Sequence, residues 1–245
     1  MTTKTSELFG LREVDFTFEG REALIVFPET KPNGKWMIKM EYYNAFPTLE
    51  AELLSRGWHL AYLRNENRWG TDGECDIKAR FVEYVSREYG LEKKVTCIGM
   101  SCGGICSVNF ASRYPELVSF LYLDAPVMNL LSCPMGYGDG IELDGGNAWF
   151  EIESAYGFTK SSLLTYREHP IDRMPTLAEH KIPVALVHGD SDTVVPYHEN
   201  GLILEKYYRE HGLPLYTECK VGVGHHPHGP VDVKRTADFI EKNAL

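Results

Sequence analysis

Residues 95–104 read VTCIGMSCGG and place one serine, Ser101, between Gly99 and Gly103. The run before the serine is apolar and β-branched, as in a strand, and the run after it, 104–115, has the three- and four-residue apolar spacing of a helix. A sharp strand-to-helix turn lifts a serine hydroxyl above the sheet edge, and glycines on either side avoid collisions with the neighbouring strand and helix. The segment therefore predicts a nucleophilic Ser101 rather than an ordinary loop serine.

A serine nucleophile needs a base that is itself held by a carboxylate, so an acid and a histidine are expected later in the chain. A predicted strand at 183–189 is followed by DSDTVVP, which places Asp190 and Asp192 at a strand's carboxyl end, where ligand-facing residues of open α/β sheets gather. We choose Asp192 as the acid, because Asp190 directly follows the strand and is expected to close the turn through backbone amides. Asp124, after the run SFLYL, is the alternative acid.

The last predicted strand runs into VGVGHHPHG, residues 221–229, which holds three histidines. His225 is the first choice for the base because it directly follows Gly224, His226 is the fallback, and His228 is expected to brace the loop. Three histidines also suggest a metal site. However, adjacent side chains of an extended segment point apart, and the motif offers no cysteine or acidic ligand, so we expect no metal.

The rest of the chain alternates between β-type and helical runs. The strand-like runs lie at 14–18, 23–27, 36–40, 58–63, 94–99, 119–124, 183–189 and 215–221. The helical runs lie at 48–57, 76–90, 104–115, 200–212 and 231–243. This pattern predicts an α/β fold: a mostly parallel eight-stranded sheet with helices on both faces, begun by an antiparallel hairpin around EGR.

The interval 125–181 breaks this alternation. It is too long and too rich in glycine for a simple crossover, yet Trp149 and Phe150 supply apolar surface for burial. We therefore interpret it as a small lid-like insertion rather than a disordered insert, within a single domain spanning 1–245.

Composition and charge exclude several classes of protein. The chain has 25 Lys and Arg against 35 Asp and Glu and contains no basic run, so nucleic acid is not expected as a partner. It shows no apolar leader and no stretch of about 18 apolar residues, so we expect a cytoplasmic protein without a membrane partner. The six cysteines lack zinc-type spacing, which indicates free thiols.

The order Ser101, Asp192, His225 is the order found in α/β-hydrolases, and the chain resembles that superfamily over nearly its full length. GMSCGG resembles its nucleophile elbow, HGDSDTVVP its acid loop and GVGHHPHG its histidine loop. More narrowly, WMIKMEYYNAFPTLEAELLSRGWHLAYL together with GHHPHG resembles small bacterial hydrolases described as prolyl-oligopeptidase-like or carbohydrate-esterase-like.

This resemblance implies an oxyanion hole made of backbone amides and implies no metal or organic cofactor. One donor would be the amide of Cys102, which follows the nucleophile. The second would come from the loop MEYYNAF, where Glu41 and Tyr42 are alternatives because the loop departs from the HGGG pattern of lipases.

We therefore expect a serine esterase that removes short acyl groups from a carbohydrate or another small polar ester substrate through an acyl-enzyme. Tyr43, Trp69 and Trp149 are candidate substrate-binding aromatic residues, with core packing as the alternative. A peptidase acting on short peptides is the second hypothesis, although we find no β-propeller repeats that would restrict access to a site. A non-catalytic binding protein on the same fold is the third, and the ordered triad argues against it.

Overall fold

A computed structural model describes residues 1–245 and contains one nine-stranded sheet. The strands are β1 (Thr2–Thr5), β2 (Arg12–Phe18), β3 (Arg21–Val26), β4 (Trp36–Lys39), β5 (His59–Leu63), β6 (Val95–Met100), β7 (Val118–Asp124), β8 (Val184–Gly189) and β9 (Leu215–Lys220). The helices are α1 (Thr48–Ser55), α2 (Asp72–Tyr89), α3 (Cys102–Arg113), α4 (Asn147–Tyr156), α5 (Lys160–Thr165), α6 (Met174–Glu179), α7 (Gly201–Glu210) and α8 (Val233–Asn243).

The strands lie in the order β1-β2-β3-β5-β4-β6-β7-β8-β9. The pairings among β1, β2, β3 and β5 are antiparallel, and every pairing from β5 through β9 is parallel. This topology confirms the predicted α/β fold with an opening antiparallel hairpin and a mostly parallel sheet.

The expected number of eight strands is wrong by one, because β1 precedes the predicted hairpin. Its sequence is TTKT, and all four residues are exposed, so no alternation of apolar and polar side chains marks it as a strand. The segment is extended because its main chain pairs with β2, where Lys4 lies beside Asp15 with 2.6 Å between Nζ and Oδ2.

Helices cover both faces of the sheet. On one face α2, α3 and α7 contribute to a cluster of 33 buried residues, and on the other face α1 and α8 contribute to a cluster of 14. Strands β6, β7 and β8 contain only buried residues, which explains their continuous apolar runs. Because these strands are parallel, their carboxyl ends meet at one edge, where the loops that follow them gather.

The segment between β7 and β8 contains α4, α5 and α6 and builds a third apolar cluster of 12 buried residues. In this cluster Trp149 and Ile152 of α4 join Trp69 and Cys102. Since Cys102 is the first residue of α3, the segment packs beside the turn that carries Ser101.

The cysteines are all unpaired, and five of the six are buried. No helix of the structure combines the length and the hydropathy that crossing a membrane requires.

Candidate active site

The turn between β6 and α3 holds Ser101 in an unusual backbone conformation. Its φ is +50° and its ψ is −121°, which lies outside the regions that non-glycine residues favour. A conformation of this kind is strained by about 1–3 kcal/mol and persists only where the surrounding structure enforces it. This conformation places the Ser101 side chain at the carboxyl end of β6.

Close packing explains two of the glycines around Ser101. A β-carbon on Gly99 would lie 2.8 Å from the carbonyl carbon of Gly103, and one on Gly104 would lie 2.7 Å from Cα of Pro126. We predicted the same steric role for Gly103, and that part of the prediction is wrong. A β-carbon on Gly103 would meet only the loop after β4, at an ordinary 3.5 Å.

The structure brings Ser101, His225 and Asp192 into one chain of hydrogen bonds. The Ser101 Oγ and the His225 Nε2 are 3.0 Å apart, and the His225 Nδ1 and the Asp192 Oδ2 are 2.8 Å apart. In this arrangement the hydroxyl donates to Nε2, while the protonated Nδ1 donates to the carboxylate. The contacts are those that general-base activation of a hydroxyl requires.

The carboxylate of Asp192 is buried, and both of its oxygens accept hydrogen bonds. Its Oδ1 accepts hydrogen bonds of 2.9 Å from the amides of Val194 and Val195, and its Oδ2 faces His225. Burial by itself raises the pKa of Asp192, but the hydrogen bond from His225 and the two amides outweigh it and lower the pKa below its ordinary value. Asp192 is therefore ionised at neutral pH and able to stabilise a protonated imidazole.

The neighbouring acidic residues have other roles in the structure. Asp190 accepts a 2.7 Å hydrogen bond from the amide of Gly222, which follows β9, so it joins two neighbouring loops and does not close the turn after β8 as predicted. Asp124, the alternative acid, is completely buried and faces His228 with 3.2 Å between Oδ1 and Nδ1. It makes no hydrogen bond or ion pair with His225, because it leaves β7 one strand away from the loop of Asp192.

Asp124 also connects the nucleophile turn with the histidine loop. Its carbonyl accepts a 3.0 Å hydrogen bond from the Ser101 amide, and its carboxylate accepts one from the Gly229 amide. The buried Lys220 lies between them, with its Nζ 3.4 Å from the Asp124 Oδ1 and 2.8 Å from the Pro227 carbonyl. These contacts hold the histidine loop against the end of β7, whereas the bracing role of His228 itself stays a prediction, because its buried Nδ1 has no hydrogen-bond partner.

His226 lies beside the site but outside the hydrogen-bonded chain. It is exposed, and its ring stacks on Phe46 at 5.7 Å. We predicted that the rings of His225 and His226 point apart. That prediction is wrong, because their centroids are 4.9 Å apart. The loop turns back on itself rather than continuing β9 as an extended strand.

The predicted oxyanion donors have backbone amides without hydrogen-bond partners in the protein. The amides of Cys102, Glu41 and Tyr42 make none of the turn and loop hydrogen bonds of the structure, so they stay available to an acceptor. The Glu41 amide lies near the start of α3, 3.6 Å from where a β-carbon on Gly103 would be. Tyr42 has a φ of +56°, which reverses the chain directly after β4.

Two polar side chains missed by the sequence argument hold the Glu41–Tyr42 loop. Lys39 is completely buried, pairs with Glu50 and donates a 3.1 Å hydrogen bond to the Ala45 carbonyl. Asn65 donates to the Met40 carbonyl at 2.7 Å. A lysine inside the apolar strand WMIKM is the one signal in the sequence that points to such a support.

A cavity of about 450 Å³ opens beside Ser101. Apolar and polar side chains line it in similar number: Tyr42, Ala45, Phe46, Arg68, Met100, Ile141, Leu143, Asp144, Val194, His225, His226 and His228. Ile141, Leu143 and Asp144 come from the segment between β7 and β8. Arg68 was missed by the sequence argument, and its guanidinium pairs with Asp144 and Glu151 across the cavity wall.

The three aromatic residues proposed to bind substrate lie outside this cavity. Tyr43 turns away from it and donates a 2.9 Å hydrogen bond to the Glu13 Oε2. Trp69 is completely buried, and its indole N–H donates a 3.0 Å hydrogen bond to the Glu151 Oε2. Trp149 is 8% exposed and belongs to the third apolar cluster. Trp69 and Trp149 therefore pack within the protein, which was the alternative interpretation, whereas Tyr43 is half-buried and lines a separate cavity of about 960 Å³.

Part of the chain matches a known family of proteins in sequence. A profile described as the alpha/beta hydrolase fold matches residues 61–139, from β5 past the turn at Ser101 and through β7 into the segment that follows it. The chain has the α/β-hydrolase fold. The matched residues of this α/β-hydrolase fold include Ser101 but neither Asp192 nor His225.

Solved structures of similar fold include peptidases. A puromycin-hydrolyzing peptidase of Mycobacterium tuberculosis has a TM-score of 0.73 and 13% identity, with 98% of this chain and 40% of that chain covered. The acylaminoacyl peptidase of Pyrococcus horikoshii gives 0.72 and 15%, with 97% and 42% covered. The dipeptidyl peptidase 4 of Porphyromonas gingivalis gives 0.69 and 14%, with 97% and 36% covered.

This α/β-hydrolase-fold chain thus spans about two fifths of the length of these three peptidases. No curated protein matches its sequence at a significant level. The similarities agree in fold, and at these low identities they show the fold alone.

Proposed function

We propose that the protein is a serine hydrolase that cleaves acyl bonds of small substrates through an acyl-enzyme. The observation that carries this proposal is the continuous chain from Ser101 through His225 to Asp192, at 3.0 and 2.8 Å, beside unoccupied backbone amides. A non-catalytic binding protein would need none of these contacts, and the strained φ of Ser101 would serve no purpose in it.

In this mechanism Ser101 Oγ attacks the substrate carbonyl carbon while His225 Nε2 accepts the hydroxyl proton. The carbonyl oxygen becomes an oxyanion that accepts hydrogen bonds from Cys102 and from Glu41 or Tyr42. As the tetrahedral intermediate collapses, His225 returns the proton to the leaving amine or alcohol. A water molecule then attacks the acyl-enzyme by the same route and restores the serine.

General-base catalysis and stabilisation of the oxyanion are expected to increase the rate by comparable factors. General-base catalysis contributes about 10²–10⁴-fold, and each oxyanion donor contributes about 10²–10³-fold. Asp192 adds to the first contribution because its ionised carboxylate holds the imidazole in the required tautomer and stabilises the imidazolium.

For the substrate we propose short peptides or aminoacyl amides as the first class to test. The esterase expected from the sequence becomes the second class, because the three similar structures described above are named as peptidases. The cavity of about 450 Å³ and its mixed lining support a short, partly polar substrate in either case.

The test is a substrate panel on the purified protein. It contains aminoacyl and dipeptidyl p-nitroanilides, p-nitrophenyl esters of graded acyl length, and acetylated sugars, with Ser101→Ala as the control. We expect turnover of at least one amide class in the wild type only. Turnover of esters alone would assign the esterase, and equal turnover by the Ser101→Ala variant would refute the serine mechanism.

We also propose that the insertion 125–181 acts as a lid that sets substrate size, since Ile141 and Leu143 line the cavity. Leu143→Ala should enlarge the cavity and shift preference toward longer acyl groups several-fold with little loss of stability. Trp149→Ala is the matched core variant and should lower stability by about 3–5 kcal/mol without changing that preference. An unchanged profile in Leu143→Ala would overturn the lid proposal.

A further inference from the structure

Three histidine rings converge at the mouth of the cavity. The centroids of His225, His226 and His228 are 4.9 Å apart in every pair, and the ring planes cross at 67°, 82° and 89°. One ring nitrogen from each lies within 4.8 Å of the other two. The three imidazoles thus form a propeller around a common point.

This arrangement is close to that of a zinc site. Three imidazoles that bind one tetrahedral Zn²⁺ at about 2.1 Å have ring centres about 5 Å apart and ligand nitrogens about 3.4 Å apart. The observed centroid distance matches the first value, so small ring rotations bring the nitrogens to the second. His226 is exposed, so its ring is the one that would turn and give up its stack on Phe46, while His225 and His228 are buried.

The carboxylates behind the two buried rings strengthen the comparison. The Asp192 Oδ2 lies 2.8 Å from Nδ1 of His225, and the Asp124 Oδ1 lies 3.2 Å from Nδ1 of His228. Histidines that bind metals usually have a carboxylate or carbonyl at the second ring nitrogen, which fixes the ring and increases its basicity. The Nδ1 of His225 is therefore hydrogen-bonded to its aspartate, whereas the Nδ1 of His228 lies beside Asp124 without a hydrogen bond, and in both rings the carboxylate lies on the Nδ1 side.

We propose that His225, His226 and His228 form a binding site for Zn²⁺ that reversibly inhibits the enzyme. The inhibition rests on the proposed function, because the Nε2 that would bind the cation is the one that takes the proton from Ser101. A lone pair shared with Zn²⁺ is withdrawn from Ser101, so the nucleophile is no longer activated. Neutral imidazole is a preferred zinc ligand, whereas Mg²⁺ prefers oxygen ligands, so the site should discriminate between the two cations.

The test begins with binding, which does not depend on any activity. Isothermal titration calorimetry with Zn²⁺ should show one site in the wild type and no binding of Mg²⁺ at the same concentrations. His226→Ala removes an exposed ligand and should weaken Zn²⁺ binding by about tenfold or more. His180→Ala is the matched control, an exposed histidine elsewhere, and should bind Zn²⁺ like the wild type.

One further variant separates this site from the other cluster of metal-binding residues. Asp139, His198 and Glu199 also lie close enough together to hold a cation, but they are at the surface. His198→Ala should leave Zn²⁺ binding unchanged. If instead His198→Ala abolishes binding while His226→Ala does not, or if the wild type binds no Zn²⁺, the proposed histidine site is refuted.

The inhibition is then measured as the Zn²⁺ concentration that halves turnover and fluorophosphonate labelling of Ser101, relative to each variant without metal. We expect inhibition that EDTA reverses and that requires about tenfold more Zn²⁺ in His226→Ala. Zinc binding without any turnover would reject the proposed function and keep the site. Turnover that is unaffected by bound Zn²⁺ would reject the inhibition.

Discussion

His225 and His228 leave β9 in the same loop, and each faces a buried aspartate, yet the two pairs do different things. His225 receives its carboxylate from the loop after β8 and reaches the Ser101 hydroxyl at 3.0 Å. His228 faces Asp124 at the end of β7, beside Lys220, and reaches no hydroxyl. Residue type and burial are alike in both, so the difference lies in the strand that supplies the acid and in what the second ring nitrogen meets.

The largest effect should separate the two histidines. Because triad members act as a unit, Ser101→Ala and His225→Ala should each reduce turnover by about 10⁴-fold or more with the fold retained. His228→Gln is the matched control and should lose far less. Turnover and fluorophosphonate labelling measure this, with circular dichroism as the check on folding. A loss in His228→Gln equal to that in His225→Ala would show that the pairs are not distinct.

The second prediction compares the two aspartates. Asp192→Asn keeps the shape but lets the imidazole adopt the wrong tautomer, so turnover should fall by about 10⁴-fold while stability changes little. Asp124→Asn leaves Lys220 without its buried partner and should lower the free energy of unfolding by about 3–5 kcal/mol. Urea unfolding and turnover of the folded protein distinguish the two outcomes. The opposite pattern would move the triad acid to Asp124.

The third prediction concerns His226, which belongs to neither pair. It makes no hydrogen bond with Ser101 or Asp192 in the structure. His226→Ala should therefore reduce turnover by only about tenfold or less, which is far smaller than the loss expected for His225→Ala. Steady-state kinetics on one substrate decides the ranking. A reversed ranking would make His226 the base.

The smallest effect is the pH dependence of stability. Burial by itself raises the pKa of Asp124, but His228, Lys220 and the Gly229 amide together lower it below its ordinary value. A lowered pKa contributes stability that is present above about pH 4 and is lost as the pH falls through the folded-state pKa. The difference in urea midpoint between wild type and Asp124→Asn should therefore shrink between pH 7 and about pH 3. Asp190→Asn, at an exposed position, should show no such change.

Local patterns were sufficient for most of the fold. The apolar runs of β6, β7 and β8 and the spacing in α2 and α8 predicted their elements, because burial imposes those periods on the sequence. Strand β1 was missed because its four exposed residues carry no such period. It exists through main-chain pairing with β2, and pairing leaves no mark on composition.

The site was predicted less completely, for a different reason. The sequence suggested that Ser101, Asp192 and His225 come together, and the structure brings them within hydrogen-bond distance; their catalytic role stays a prediction. Arg68 and the convergence of the three histidine rings were missed, because both depend on how distant loops meet. Trp149 was assigned to substrate because an aromatic residue in a long loop does not reveal whether it faces inward.

The residues that follow three of the central strands share one property with a consequence for engineering. Tyr42 after β4, Ser101 after β6 and Ala125 after β7 have φ values of +56°, +50° and +45°. Each is a non-glycine residue in a region that is unfavourable for it by about 1–3 kcal/mol. Consensus-type substitutions that relax these turns would raise the melting temperature, but they would also loosen the edge of the sheet that holds Ser101. Gains in thermostability should therefore be sought at the opposite end of the sheet.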